Sequence, residues 1–257
     1  MNASGLKYIA YGSMLCDHAA AFLLEPYLTG IGADAQADPL YVFLRTLGRP
    51  AFFLFAFFVA EGMRHTKSRM HYLMRLFFLA IVSEIPFDLC RKHMVCDSSL
   101  QNTILTLFLG GLLIAVWDRL ESLRKRSLPL MYLVRAVVIA VFGAFAIALR
   151  TDYGFAGVYV ILLFRLMYLR TEQFAVRMGF AVMALFFLKP YVEAPMMLMT
   201  SFPKEGYLLM MTQVVGLLAL WPIERYNGEK GRMPCKILCY LFYPAHLLMF
   251  YGLTLLY

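Results

Sequence analysis

The amino-acid sequence predicts an all-α membrane protein, a polytopic bundle of about nine transmembrane helices. Of its 257 residues, 61% are hydrophobic and only 16% are charged, and the mean hydropathy is +0.68. A soluble domain of this size requires more polar surface than this composition supplies. The chain has no linker and no low-complexity segment, so we expect residues 1–257 to form a single domain in the lipid bilayer.

Apolar stretches long enough to cross a bilayer, at about 20 residues each, recur along the whole chain. The nine candidates are 6–28, 40–63, 72–90, 100–118, 130–149, 154–170, 174–190, 206–222 and 236–256. Some are short or interrupted, so eight to ten spans remain open. The first does not resemble a signal peptide, because Asp17 and His18 interrupt its apolar run.

The formal net charge is +8, and the basic residues concentrate on every second connection between spans. These residues are Arg64, Lys67, Arg69 and Arg75; Arg119, Arg124, Lys125 and Arg126; Arg165, Arg170 and Arg177; and Arg225, Lys230, Arg232 and Lys236. The positive-inside rule assigns these connections and the N-terminus to the cytoplasm. We interpret the basic residues as a topology signal and expect no nucleic-acid partner.

The first apolar stretch carries an Asp17-His18 pair near its middle and Lys7 near its start. Ionisable groups at membrane depth are costly, by roughly 2.5 kcal/mol or more for a charge at the helix centre, and usually mark a functional site. Eleven residues turn an α-helix through about three turns, so Lys7 and His18 share one face, about 16 Å apart along the axis. Asp17 diverges from His18 by about 100°, which favours a partner for Asp17 on an adjacent helix.

Further polar residues lie in or at the ends of the candidate spans, and we assign them to a substrate or polar network. They are Arg49, Glu61, His65, Glu84, Asn102, Asp152, Tyr243 and His246. Glu61 and His65 can pair at i,i+4. Structural alternatives remain open for each, such as helix N-caps for Asn102 and Asp152, or an interior histidine at position 246.

The sequence predicts no metal site. No local ligand spacing supports one, and we expect His18, His65 and His246 to lie on different helices at different depths. Cys90 and Cys96 fall on the predicted outer side, where a disulfide is permitted, although free thiols are the favoured alternative.

Six segments in series resemble the TraX family, which is named for a bacterial inner-membrane pilin acetylase. They are LKYIAYGSMLCDHAA, GRPAFFLFAFFVAEGMRHT, YLMRLFFLAIVSEIPFDL, NTILTLFLGGLL, TDYGFAGV and FYPAHLL, and the resemblance runs from residue 6 to about 252. The spacing Lys7-x10-His18 also resembles the basic-x10-His motif of the wider transmembrane acyltransferase superfamily. The resemblance implies a multi-pass protein of the bacterial inner membrane.

The same resemblance implies an acetyltransferase that takes acetyl groups from cytoplasmic acetyl-CoA. His18 is then the general base, assisted by Asp17, and Lys7, Arg64, Lys67, Arg69 and Arg75 bind the donor's phosphates. Asn102 or Tyr243 is a candidate for stabilising the oxyanion. The acceptor is expected at the outer side, as the amine of a pilin or other peptide N-terminus or as a group on a glycan.

Two other functions remain open. The intramembrane acids and histidines are the groups that a proton-coupled transporter uses, although no paired halves typical of inverted-repeat transporters are visible in the sequence. A non-catalytic assembly partner of a pilus or envelope machine is the third possibility, and it predicts that His18 is dispensable.

Overall fold

The computed structural model describes residues 1–121, 128–167, 173–193, 213–232 and 236–256, and these residues are helical apart from short connections. The α-helices of the described part are α1 (Ala3–Ala19), α2 (Glu25–Gly30), α3 (Pro39–Gly48), α4 (Pro50–His65), α5 (Arg69–Lys92), α6 (Thr103–Glu121), α7 (Leu128–Ala148), α8 (Gly154–Met167), α9 (Phe174–Glu193), α10 (Leu220–Glu224) and α11 (Lys236–Thr254). The only extended pairing in the described part is one isolated bridge between Gln101 and Thr151. The all-α prediction is therefore confirmed.

Four helices of the described part are long and apolar enough to cross a membrane. They are Pro39–His65, which takes α3 and α4 together, Thr103–Glu121, Leu128–Ala148 and Ile237–Thr254. Shorter apolar helices cover Gly154–Met167 and Gln213–Glu224, and part of the candidate span 206–222 lies outside the described residues. The chain is thus a helical membrane protein, while nine spans and a cytoplasmic N-terminus remain predictions.

The described helices divide into two compact units. Unit 1 comprises Met1–Phe55, Val82–Asp97 and Ala194–Tyr257, and unit 2 comprises Ala56–Ile81 and Ser98–Glu193. The expectation of one domain over 1–257 remains a prediction.

In unit 1, the start of α1 is fixed to the segment that precedes α11. The amide of Ala3 donates to the Glu229 carbonyl at 2.8 Å, and the Ser4 hydroxyl donates to the Lys230 carbonyl at 2.9 Å. The Asn2 side chain caps α1 by accepting from the Gly5 amide. The N-terminus therefore lies beside the basic connection 225–232, which the charge pattern assigns to the same side of the membrane.

From that common end, α1 and α11 run alongside each other in a fixed register. The Tyr11 hydroxyl donates to the Cys239 carbonyl at 3.3 Å, and two turns further His18 contacts His246. Both contacts join residues 228 positions apart, so the contact repeats every seven residues on each helix, as in parallel coiled-coil packing. The face of α1 that carries Lys7, Tyr11 and His18 is therefore directed at α11.

After Ala19 the first helix widens into a π-helical segment, Ala20–Leu24, before α2 begins. Pro26 explains the change, because proline has no N–H to donate to the carbonyl four residues earlier and its ring clashes with that carbonyl. π-helical turns of this kind occur often at functional sites. Here the segment begins two residues after His18, so the helix is regular through the Lys7–His18 interval and altered immediately beyond it.

In unit 2, α6 and α8 pack closely at a glycine. A Cβ atom placed on Gly110 would lie 2.3 Å from Cδ1 of Ile161, so only glycine allows this approach. Near the C-terminal end of α6, the Asp118 carboxylate forms ion pairs with Arg69 at 2.9 Å and with Arg165 at 3.2 Å. One carboxylate thus connects α5, α6 and α8.

Candidate functional site

The centre of unit 1 is a direct contact between two imidazole rings. Nδ1 of His18 lies 2.6 Å from Nε2 of His246, and the ring planes are within 5° of parallel. Rings stacked face to face keep their atoms about 3.5 Å or more apart, so these two meet edge to edge in a hydrogen bond. His246 is buried, at 4% exposure, whereas His18 is half-buried.

The two imidazoles lie among aromatic rings from the π-helical segment and from α11. Phe22 and Tyr243 lie with their ring centroids 5.3 and 5.9 Å from that of His18, and Phe250 packs edge-on to His246 at 5.8 Å. Aromatic surroundings exclude water and strengthen the polar interactions inside them. The pair is consequently held in a largely apolar enclosure that leaves part of His18 accessible.

Asp17 points away from this pair and binds arginines of α3. Its carboxylate accepts from Nη1 of Arg45 at 2.7 Å, and Nη1 of Arg49, which follows α3, lies 4.0 Å from its other oxygen. Asp17 therefore has the partner on an adjacent helix that its divergence from His18 predicted.

The Asp17 cluster contains two guanidinium groups and one carboxylate. The Arg49 side chain is only 6% exposed, and neither its Nε nor its Nη2 has a hydrogen-bond partner in the described part of the chain. Burying a charge is costly unless it is paired. Arg45, Arg49 and Asp17 together carry more positive than negative charge, and Asp17 directly precedes His18 in the chain.

The predicted site residues separate into the two units. Unit 1 holds Lys7, Asp17, His18, Arg49, Glu84, Tyr243 and His246, while unit 2 holds Glu61, Arg64, His65, Lys67, Arg69, Arg75, Asn102 and Asp152. Glu84 is half-buried on α5, and Lys7 is half-buried on α1, two turns before Met14. Unit 1 therefore contains the histidine pair together with Asp17, Arg49 and Lys7.

Two of the predicted polar residues of unit 2, Asn102 and Asp152, have structural partners. Asn102 is fully buried, caps α6 by accepting from the Ile104 amide at 3.0 Å, and donates to the Ala80 carbonyl at 2.8 Å. Asp152 accepts from the Thr103 hydroxyl at 2.5 Å. These bonds support the N-cap interpretation of Asn102 and tie Asp152 to the start of α6, whereas α8 begins only at Gly154.

The predicted pair of Glu61 and His65 is confirmed, with Nε2 of His65 at 3.1 Å from the Glu61 carboxylate. Of the basic residues predicted to bind the donor, Arg64, Lys67 and Arg75 are exposed in unit 2. Arg69 instead pairs with Asp118 and donates to the Met63 carbonyl at 3.2 Å. Donor binding by Arg64, Lys67, Arg69 and Arg75 remains a prediction.

Two features of the site escaped the sequence analysis. The expectation that the histidines lie at different depths is wrong for His18 and His246, because parallel packing of α1 and α11 brings them together. The signal was the equal seven-residue spacing of Tyr11–His18 and Cys239–His246. The role of Arg45 was also missed, since only the approach of α3 to α1 brings it to Asp17.

The described histidines, cysteines and acids bear on metal binding and on the Cys90–Cys96 disulfide. Among the described residues, no group of three or more His, Cys, Asp or Glu side chains is positioned to hold a metal ion. Cys90 and Cys96 are both free thiols, and the buried Cys90 thiol donates to the Leu247 carbonyl at 2.9 Å. The open disulfide alternative is thus absent from this structure.

The fold and the site together define a helical membrane protein with a pair of hydrogen-bonded imidazoles between its first and last helices. Comparison with known families places it further: the family described as "TraX protein" matches residues 2–254, and the chain belongs to that family. The resemblance noted in the sequence is therefore confirmed for TraX, while membership of the wider acyltransferase superfamily remains a prediction.

A curated relative is the "Probable fimbrial assembly protein FimC, serogroup H1" of Dichelobacter nodosus. It is 26% identical over 249 residues, which cover 96% of this chain and 93% of the relative. No solved structure shows a significant match.

Proposed function

We propose that this protein is an integral-membrane acetyltransferase that moves an acetyl group from acetyl-CoA to an acceptor amine or hydroxyl, with His18 as general base. The observation that carries the proposal is the half-buried His18 imidazole, hydrogen-bonded to His246 on one nitrogen and facing into the helix packing of unit 1. Family membership supports the same reaction class, since the TraX family is named for a pilin acetylase.

In this reaction His18 accepts the proton of the acceptor N–H or O–H as that atom forms its bond to the acetyl carbonyl carbon. The carbon–sulfur bond then breaks, and the CoA thiolate leaves with the proton that His18 returns. Histidine suits both steps because its ordinary pKa, about 6.5, lies near neutrality. No oxidant or metal is required, and the proton gained in the first step is released in the second.

The cationic residues have distinct proposed roles. Lys7 lies on the His18 face of α1, about three turns away, where it can contact an anionic part of the donor. Arg64, Lys67 and Arg75 of unit 2 are proposed to bind donor phosphates because they are exposed. The excess positive charge of Arg45 and Arg49 favours negative charge that develops near the Asp17-His18 turn. Tyr243 remains the candidate oxyanion donor, because the Asn102 amide is engaged by Ala80.

The acceptor is proposed to be a peptide N-terminus, with a glycan group as the alternative. The name of the Dichelobacter nodosus relative, a probable fimbrial assembly protein, supports a pilin as the first acceptor to test. The topology prediction locates the acceptor on the outer side and the donor in the cytoplasm, as expected for a multi-pass protein of the bacterial inner membrane.

The test compares purified protein with its His18→Ala variant in nanodiscs, using radiolabelled acetyl-CoA and envelope fractions from cells that lack the gene. Mass spectrometry of peptides and glycans then identifies any product that carries an added acetyl group. We expect transfer by the wild type, loss in His18→Ala with intact folding, and retention in His71→Ala, since His71 is an exposed histidine. Wild-type transfer by His18→Ala would exclude His18 as the base.

A second candidate, a non-catalytic assembly partner, is favoured by the printed name of the relative. It predicts that His18→Ala supports normal pilus or envelope assembly in cells and that no acetylated product exists. The proton-coupled carrier is less favoured, since the hydrogen-bonded pair ends at the Phe242 carbonyl, 2.7 Å from Nδ1 of His246. An amide carbonyl accepts a hydrogen bond but carries no proton onward. Acetyl-CoA-independent uptake driven by an ion gradient in liposomes would instead support a carrier.

A further inference from the structure

The donor and the acceptor in each hydrogen bond of the histidine pair follow from the contact that His246 makes with a backbone carbonyl. Nδ1 of His246 lies 2.7 Å from the carbonyl oxygen of Phe242, in its own helix. A carbonyl oxygen only accepts hydrogen bonds, so Nδ1 of His246 must carry a hydrogen. A neutral imidazole carries one hydrogen only, and His246 is buried where a charged ring is disfavoured. Nε2 of His246 is consequently a lone-pair acceptor.

The direction of the hydrogen bond at His246 also determines which nitrogen of His18 carries the hydrogen. Because Nε2 of His246 is an acceptor and lies 2.6 Å from Nδ1 of His18, Nδ1 of His18 must be the donor. In the neutral His18 ring the remaining nitrogen, Nε2, then has no hydrogen and presents its lone pair. The order of the chain is therefore His18 Nε2 lone pair, His18 Nδ1–H, His246 Nε2, His246 Nδ1–H and Phe242 carbonyl.

We propose that His246 is a positioning residue that fixes the tautomer of His18, so that Nε2 of His18 is the basic atom. This inference rests on the proposed function only for its catalytic consequence. When Nε2 gains a proton, the positive ring donates more strongly from Nδ1 to His246, because hydrogen bonds from charged donors are stronger than neutral ones. His246 thus fixes the orientation of the His18 ring and stabilises its protonated form, without contacting the substrate.

Aromatic rings packed against His246 restrict the orientations that its imidazole can adopt. The Phe242 ring lies within 19° of parallel to the His246 ring, with centroids 5.3 Å apart, and Phe250 closes another side of it. A ring flip of His246 would take Nδ1 away from its carbonyl acceptor and would leave a buried polar atom without a partner, which is unfavourable. The pair is therefore expected to keep a single orientation.

The test is nitrogen NMR of the full-length protein in lipid bilayers, with all histidine rings labelled with ¹⁵N. Ring nitrogens with and without a bound hydrogen resonate in separate regions, and an N–H···N bond produces a scalar coupling between its two nitrogens. His18→Gln assigns the His18 signals by difference. In the wild type we expect a protonated Nδ1 and an unprotonated Nε2 for His18, with a coupling from that Nδ1 to Nε2 of His246.

Two variants separate positioning from simple packing. His246→Leu fills a similar volume without an acceptor, and it should abolish the coupling and release His18 into a mixture of tautomers. His246→Gln offers a side-chain carbonyl as acceptor and should preserve the protonated Nδ1 of His18. A protonated Nε2 on wild-type His18, or an unchanged His18 spectrum in folded His246→Leu, would overturn the inference.

The activity measurement distinguishes this inference from the proposed function. With the acetyl-CoA and envelope assay, His246→Leu should lower kcat by about 10- to 100-fold, the range seen when a metal-bound histidine loses the partner that orients it. We expect little change in KM and partial recovery in His246→Gln. If the wild type transfers no acetyl group while its spectra show the expected tautomer, the proposed function fails and the positioning role stands. Wild-type kcat in His246→Leu would overturn the positioning role alone.

Discussion

Gly48 lies directly against Asp17, at the point where α3 approaches α1 most closely. A Cβ atom placed on Gly48 would fall 2.2 Å from Cβ and 2.8 Å from Cα of Asp17. Only glycine permits that separation, and the same approach delivers Arg45 to the Asp17 carboxylate. A single small residue on α3 therefore determines the position of the charged cluster beside His18.

We expect Gly48→Ala to destabilise the protein, because Asp17 Cα is backbone and cannot turn aside. Overpacking of this kind costs about 1–3 kcal/mol, which thermal unfolding in nanodiscs should register as a lower Tm. The matched control is Gly12→Ala on α1, where nothing lies within 4 Å of the added atom. That control should be neutral or slightly stabilising, since alanine favours a helix interior over glycine. Equal Tm values for the two variants would contradict the close approach.

The ion pair between Asp17 and Arg45 should be energetically coupled. We expect Asp17→Asn to reduce the free energy of unfolding more than Arg45→Gln does, because it leaves both Arg45 and the buried Arg49 without their carboxylate. The double variant should lose less than the sum of the single losses, with a coupling of about 0.5–3 kcal/mol. Reversible unfolding of all four proteins measures it, and strictly additive losses would refute the coupling.

Asn102 should act through stability and not through chemistry. Asn102→Ala removes the cap of α6 and the side-chain amide that donates to the Ala80 carbonyl of α5. The cap alone contributes about 0.5–2 kcal/mol, so we expect a clearly lower Tm. The exposed Asn227 provides the control, and Asn227→Ala should change the Tm little. An Asn102→Ala variant with unchanged Tm and greatly reduced kcat would instead support the oxyanion role.

Substitutions of the basic residues at and near the α4–α5 connection should show which of them bind acetyl-CoA and which stabilise the fold. Arg64→Gln, Lys67→Gln and Arg75→Gln should leave the Tm unchanged and each weaken acetyl-CoA binding about two- to fivefold, as for exposed charge pairs, with the effect reduced by salt. Arg69→Gln should lower the Tm, because Arg69 pairs with Asp118. Calorimetric titration with acetyl-CoA measures the affinities, and unchanged binding in all three exposed variants would remove these residues from the donor site.

The thiols Cys90 and Cys96 should differ in reactivity. Cys96 is exposed and Cys90 is buried, with its hydrogen donated to the Leu247 carbonyl. Maleimide labelling of the folded protein should modify Cys96 rapidly and Cys90 only after unfolding, as peptide mass spectrometry can show for each site. A Cys90–Cys96 disulfide in protein purified without reductant would contradict this prediction.

The long apolar stretches determined the helical class, because a segment of about 20 apolar residues fits a membrane-spanning helix and a helix satisfies all of its backbone hydrogen bonds within the segment. Helical spacing also determined that Lys7 and His18 share a face and that Asp17 needs its own partner. These properties are local, since each depends on residues within a few turns of one helix.

Tertiary structure decided which residues meet. His246 is 228 positions from His18, and only the parallel register of α1 and α11 joins them; Arg45 reaches Asp17 only through the close approach at Gly48. Similarly, Arg69 belongs to a structural ion pair because α6 presents Asp118 to it. Periodicity within one helix specifies a face but not the neighbour that covers it, because that choice depends on packing between residues far apart in the chain.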